Sequence, residues 1–293
     1  MSPAAIDTIR RALAEDLGEG DITSQAFIPA DHVSTARILA RETAVLAGLT
    51  AAAETFRLVD PAIVLEPTRT EGETVVAGTV VLTAHGPTRS LLAAERTALN
   101  FLQRLSGIAS LTRKFVEAVA GTGAVILDTR KTTPGLREFE RLAVRAGGGT
   151  NHRFGLFDRV LAKDNHLAVT GDAAGLQRAI ETARQAQPGI VIEIEADTLD
   201  QVTLLCGLRG IDIILLDNMT NDQLREAVSL RGSKSIRLEA SGGVNLETVA
   251  GIAATGVDFI SVGALTHSAG AADFSLEIAA TQTASLAFNR DPA

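Results

Sequence analysis

The chain has no tryptophan, no tyrosine and one cysteine, and its aromatic content of 3% is phenylalanine alone. A single cysteine, Cys206, excludes an internal disulfide and any cysteine-rich metal site. It lies in the apolar run Leu204-Leu205-Cys206 and reads as a buried core thiol. With so few rings, packing must rest on Leu, Ile, Val and Ala, which suits parallel strands covered by helices. No uninterrupted apolar segment is long enough to cross a bilayer, and the mixed-charge N-terminus lacks the apolar core of a signal peptide. A soluble cytoplasmic protein without a membrane partner is the expectation. Neither a GxGxxG nor a Walker lysine-serine sequence occurs, so nucleotide folds of those two types are not indicated.

What is present is a cationic island. The formal net charge is −8, yet from Arg130 to Lys163 lysine and arginine clearly outnumber aspartate and glutamate. Positive charge concentrated in an acidic chain points to a small polyanionic ligand, not to a nucleic-acid surface. The 293 residues, 46% hydrophobic and 21% charged, are enough for one large or two modest domains.

The patterning changes along the chain. Ser2 and Pro3 open a predicted helix carrying Ile6, Ile9, Leu13 and Leu17, which Gly18 and Gly20 end. Residues 33–49 and 62–85 are rich in Val, Ile and Thr and broken by glycine, and they read as an antiparallel sheet. Helices are predicted from about Ser90 to Gly107 and over about 109–120. After Gly123, short apolar runs at 125–127, 160–162, 190–194, 213–216, 236–238 and 259–262 recur, the later ones separated by amphipathic stretches. That is βαβα alternation with a parallel sheet, either doubly wound or closed into a barrel. Nearly every strand ends in a polar or glycine cluster, and this favours the barrel, where strand C-termini converge on one mouth. Six strands are clear, so a complete eight-stranded barrel is not established.

The clusters carry the candidate chemistry. Thr129-Arg130-Lys131 follows a strand, and such a pair of cations suits carboxylate or phosphate binding, a solvated surface turn being the alternative. Gly147-Gly148-Gly149 before His152-Arg153 lets backbone approach a ligand or another segment closely, or makes a flexible loop. Lys163 ends a strand and reads as a permanently charged anion ligand in preference to a Schiff-base nucleophile. Glu195 and Asp217 end adjacent strands, where two carboxylates suit Mg²⁺, directly or through substrate and water, or ribose hydroxyls, or salt bridges with the arginines. His152 and His166 match no metal-ligand spacing and read as hydrogen-bonding groups. Ser241-Gly242-Gly243 and Val262-Gly263-Ala264 offer backbone N–H groups to a phosphate, or simply turn the chain.

Together these residues resemble the quinolinate phosphoribosyltransferase family. The matching segments include Glu95-Arg96-Thr97-Ala98-Leu99-Asn100, Asp128 to Arg137, Gly147 to Arg153, Lys163 to His166, Leu216-Asp217-Asn218 and Gly263 to Ser268. The resemblance implies an α/β fold: an N-terminal α/β sandwich domain (1–110, joined by 270–293) and an incomplete α/β barrel of mostly parallel strands (111–269). It implies that Arg96, Thr129, Arg130, Lys131, His152, Arg153 and Lys163 line a quinolinate and diphosphate pocket. Glu195 and Asp217 would face the ribose and magnesium, and Ser241, Gly242, Gly243, Val262, Gly263 and Ala264 would take the 5′-phosphate. Lys131, Lys163, Glu195 and Asp217 are the implied catalytic set. It further implies phosphoribosyl diphosphate as co-substrate, no organic cofactor, and a homodimer in which Arg96 reaches the neighbouring site. Where the family often has Lys-Tyr-Ala-Val-Arg-Cys, this chain has Arg141-Leu142-Ala143-Val144-Arg145-Ala146, so Arg141 and Leu142 stay outside the expected site. A related phosphoribosyltransferase with another acceptor, a Schiff-base aldolase using Lys163 and a phosphosugar- or nucleotide-sensing protein are the other readings.

Overall fold

The computed structural model describes residues 1–278, which divide into two compact units, Met1–Arg104 with the chain from Ala272 onward, and Leu105–Ala271.

The first unit opens with α1 (Pro3–Leu17), capped by Ser2, whose hydroxyl accepts from the Ala5 amide, and α2 (Ile22–Phe27). Then come β1 (Val33–Ala40), β2 (Ala44–Val45), α3 (Leu49–Val59), β3 (Val64–Pro67), β4 (Thr74–Val75) and β5 (Val80–Pro87). β1, β5 and β3 pair antiparallel, and the strand Phe274–Ile278 adds to the other side of β1. Ser34, Ala36, Ile38 and Ala40 are buried while Val33 and Arg37 are exposed, the period of two expected of a sheet with one covered face. That face packs with Phe56 of α3 and with Leu91, Ala94, Ala98 and Leu102 of α4 (Thr88–Ala118).

The sequence predicts two helices where α4 runs unbroken. Gly107 reads as a stop in the sequence, yet a Cβ there would lie 1.9 Å from the Gly270 carbonyl oxygen. The glycine is needed for close approach of backbone, and the helical hydrogen bonds continue through it.

The second unit contains β6 (Val125–Leu127), α5 (Arg137–Ala146), β7 (Val160–Ala162), α6 (Asp164–Thr170), α7 (Ala173–Ala186), β8 (Ile192–Ala196), α8 (Leu199–Gly207), β9 (Ile213–Asp217), α9 (Asn221–Arg231), β10 (Arg237–Ser241), α10 (Val249–Ala253), β11 (Phe259–Ser261) and α11 (Ala264–His267). The strands form one parallel sheet in the order β6-β11-β10-β9-β8-β7. β6 and β7, neighbours in sequence, are its two edges, which is the topology of an incomplete α/β barrel. The capping box expected at Thr198 and Gln201 opens α8.

Alternation along these strands sorts apolar from functional side chains. Ile192, Ile194, Ile214, Leu216, Leu238, Ala240 and Ile260 are buried on one face. Leu161, Leu215, Asp217, Glu239, Ser241 and Ser261 line a cavity on the other. At the opposite strand ends a clamp recurs. Asp212 Oδ2 accepts from Arg184 and from the Ile192 amide at the start of β8, and Asp258 Oδ2 accepts from Arg231 and from the Leu238 amide near the start of β10.

Candidate active site

The cavity at the strand C-termini encloses about 480 Å³. Thr129, Arg130, Lys131, His152, Arg153, Lys163, Asp217, Ser241, Gly242 and Gly243, all expected from the sequence, line it. Leu161, Leu215, Asn218, Glu239 and Ser261 join them without having been expected.

Two supports fix the cationic side. The Lys131 carbonyl accepts from Thr266 Oγ1 at 2.8 Å, which ties the Thr129–Lys131 turn to α11. Asp128, fully buried, accepts from the His152 amide at 2.6 Å and from Asn151 Nδ2 at 2.7 Å, with Arg141 Nη1 3.6 Å away. Burial pushes the Asp128 carboxyl upward while these donors oppose the shift. Arg141 Nη1 in turn donates to the His152 and Arg153 carbonyl oxygens, so it shapes this loop from behind, outside the cavity lining.

The glycine triplet serves packing. A Cβ on Gly147 would lie 2.5 Å from the Ala109 carbonyl oxygen and 2.6 Å from Thr112 Cβ, and one on Gly149 would lie 2.8 Å from Thr112 Cγ2. Of the meanings open in the sequence, close approach to another segment is the one realised, and the segment is α4.

Arg153 is buried, and its pKa is lowered first by desolvation and then by the neighbouring charge of Arg130. Glu193 and Asp158 oppose that shift without cancelling it, and like charges held this close suit an anionic ligand. Lys163 Nζ forms an ion pair with Glu195 Oε2. That is the arrangement of a fixed cation, not of a desolvated amine ready for imine chemistry. It also takes up one of the two carboxylates expected to meet magnesium, while Asp217 lies on the cavity and accepts from Asn218 Nδ2 at 2.6 Å. Gly242, at φ +97°, sits where a Cβ would fall 2.1 Å from Asn218 Oδ1.

Five expected residues lie differently, the first being Glu195, which pairs with Lys163 and does not line the cavity. Val262 is buried and its amide donates to the Leu127 carbonyl at 2.9 Å, so this N–H is not available to a phosphate. Gly263 and Ala264 open α11 and do not line the cavity. Arg96 is exposed on α4, in the first unit.

Behind the cationic wall is a buried cluster. His152 Nε2 is 3.0 Å from Glu193 Oε2 and 3.5 Å from Glu239 Oε2, and Arg159 Nη1 donates to Glu193 Oε2 at 3.1 Å. His152 Nδ1 accepts from the Arg153 amide at 2.7 Å, which places the ring proton on Nε2. Burial opposes charging the ring, but Glu193 and Glu239 outweigh it and push its pKa up to about 9. The Arg153 N–H at Nδ1 opposes a second ring proton, and burial raises the pKa of the neighbouring Glu239 carboxyl. The three ligating atoms lie within 4.8 Å of one another, but an ion there would have to displace the Nε2 proton and the Arg159 contact.

Two family models match the chain: the N-terminal domain of quinolinate phosphoribosyl transferase over residues 21–106 and its C-terminal domain over 108–277. The chain belongs to the quinolinate phosphoribosyltransferase family. Among curated relatives, nicotinate-nucleotide pyrophosphorylase [carboxylating] of Mycobacterium leprae is 45% identical over 283 residues, covering 94% of this chain and 97% of that one. A probable enzyme of the same name from Synechocystis is 44% identical, covering 86% and 85%. The crystal structure of NadC from Streptococcus pyogenes superposes with a TM-score of 0.88 at 40% identity, covering 94% of this chain and 97% of that one. In a quinolinate phosphoribosyltransferase, the incomplete barrel and cationic mouth found here are the expected framework.

Proposed function

We propose that this chain transfers the phosphoribosyl group of phosphoribosyl diphosphate to quinolinate with decarboxylation, giving nicotinate mononucleotide, diphosphate and CO₂ in NAD biosynthesis. The observation that carries this reading is the gathering of Arg130, Lys131, Arg153 and Lys163 around one cavity. Two polyanions brought together repel, and fixed cations offset that repulsion and orient both. Arg130 and Arg153 suit the two carboxylates of the acceptor as bidentate partners, while Lys131 and Lys163 act as point charges. Ser241, Gly242 and Gly243 suit the 5′-phosphate, while Gly263 and Ala264 open α11 outside the cavity lining.

In the reaction the C1′–O bond breaks, its electron pair leaving with diphosphate, and the pyridine nitrogen lone pair bonds to C1′. Positive charge on C1′ is stabilised by Glu195 and Asp217. The C2–carboxylate bond then breaks. CO₂ departs, the electron pair stays on C2 beside the cationic nitrogen, and C2 takes a proton from solvent. Lys131 and Lys163 hold the leaving and reacting anions without covalent involvement. The oxygen donors at Asp217 fit magnesium, which would be held there largely through the diphosphate and would neutralise the leaving group. Two copies form the smallest active unit on this reading, Arg96 of one completing the site of the other, and the enzyme acts in the cytoplasm. No helix among the described residues is long and apolar enough to cross a membrane.

Ultraviolet monitoring of quinolinate with phosphoribosyl diphosphate and Mg²⁺ tests the reading. Quinolinate loss that requires both partners supports it. No loss at any enzyme concentration overturns it.

A further inference from the structure

The buried cluster behind the cavity holds more carboxylate than it has donors. Glu193 and Glu239 are fully buried, and Glu193 Oε1 and both oxygens of Glu239 lack any hydrogen-bond partner among the described residues. The groups facing Glu239 are His152, Glu193 and the Ser261 hydroxyl, while Arg159 Nη1 lies 3.1 Å from Glu193 Oε2 and 3.2 Å from His152 Nε2. The single proton on His152 Nε2 goes to Glu193 at 3.0 Å, and the Arg159 guanidinium balances the same carboxylate. An ionised Glu239 is left with the neutral Ser261 hydroxyl facing it and no cation of its own. A bare carboxylate in that place, close to a second one, is costly, and protonation removes the cost.

We propose that Glu239 is a positioning residue, a neutral carboxylic acid that keeps His152 in its Nε2–H form and, through the His152–Arg153 contact, sets the grip of Arg153 on a dianionic acceptor. The chain of contacts is short. Glu193 and Glu239 hold one edge of the imidazole, and its other edge accepts the Arg153 amide. Arg153 reaches the cavity on the other side of that amide. Ionisation of Glu239 places a negative charge at the cavity floor and pulls a second proton toward His152, against the Arg153 N–H. The neutral acid therefore favours a doubly charged acceptor and the ionised form disfavours it. The link to a dicarboxylate rests on the function proposed above, whereas the protonation state of Glu239 does not.

The test uses Glu239→Gln, which copies the neutral acid in shape and charge. Infrared difference spectra should show the carbonyl stretch of a protonated carboxylic acid in the wild type, and its loss in E239Q. Quinolinate affinity of the wild type should fall at least tenfold as pH is raised from 7 into the alkaline range. E239Q should bind within threefold of the wild type at pH 7 and lose that alkaline fall. Absence of the infrared band, an unchanged alkaline fall in E239Q, or failure of E239Q to fold would each overturn the proposal. A wild type that shows the band but binds no quinolinate would leave Glu239 neutral and refute its role toward a dicarboxylate, together with the proposed function.

Discussion

The Asp128 carboxylate accepts the His152 amide at 2.6 Å, and this bond joins the end of β6 to the loop that carries His152 and Arg153. Both residues are buried, and the same carboxylate also holds Asn151. Asp128 is thus the internal anchor of the cationic wall, although it does not line the cavity itself.

Removing that anchor is expected to cost both stability and activity. Asp128→Ala leaves the His152 amide and the Asn151 and Arg141 side chains without their acceptor, for a loss of about 3 kcal/mol in urea unfolding. Quinolinate turnover of the folded fraction should also fall, because the Arg153 backbone is no longer fixed. Unchanged unfolding and turnover would show that Asp128 is not the anchor.

Gly147→Ala is expected to destabilise the barrel unit by about 2 kcal/mol, through overpacking against backbone. The added Cβ would meet the Ala109 carbonyl oxygen at 2.5 Å, a backbone atom of α4 and not the far end of a flexible side chain. Gly148→Ala meets no atom closer than 3.7 Å, but it must adopt φ +94°, so its smaller expected loss has a conformational cause. Thermal unfolding of the two variants separates these effects. Equal losses would contradict the packing role given to Gly147.

Gly242→Ala should act on the site. The methyl would overlap Asn218 Oδ1 at 2.1 Å, and Asn218 is bonded to Asp217 and itself held at φ 54°. Displacing it is expected to raise KM for phosphoribosyl diphosphate about tenfold, equivalent to roughly 1.4 kcal/mol, with KM for quinolinate changed less. Steady-state kinetics in both substrates checks the ratio.

Stability should fall as pH rises from about 6.5 toward about 9. The His152 cluster binds its proton more tightly folded than unfolded, the ring's ordinary value of 6.5 being raised to about 9. A raised value means that the stabilisation is complete below the unfolded value and disappears as pH passes the folded one. The slope from this one proton is at most about 1.4 kcal/mol per pH unit. Urea unfolding across that range should show the decline, and E239Q should flatten it.

Much of this arrangement is readable in the residue pattern, and the exceptions have physical causes. Polar groups at strand ends stand out against the Val, Ile and Leu around them, so Thr129-Arg130-Lys131, Lys163, Asp217 and Ser241-Gly242-Gly243 are recognisable as one rim before any coordinates. Glu239 gives no such signal. It sits within β10, and only the knowledge that Ser241, two residues on, faces the cavity shows that Glu239 faces it too. Gly107 reads as a helix stop because sequence alone does not show Gly270 lying against it. The phosphate role expected for the Val262 amide fails for a similar reason, since its bond to Leu127 depends on β6 and β11 being neighbours in the sheet.

Release of labelled CO₂ from quinolinate carrying label in its 2-carboxylate puts the cationic-cavity account to its hardest test. The expected result is one CO₂ per diphosphate formed, dependent on phosphoribosyl diphosphate and reduced at least a hundredfold in Arg130→Ala and in Lys163→Ala. Near-normal release in both variants, or diphosphate formation with nicotinate as the better acceptor and no CO₂, would contradict it.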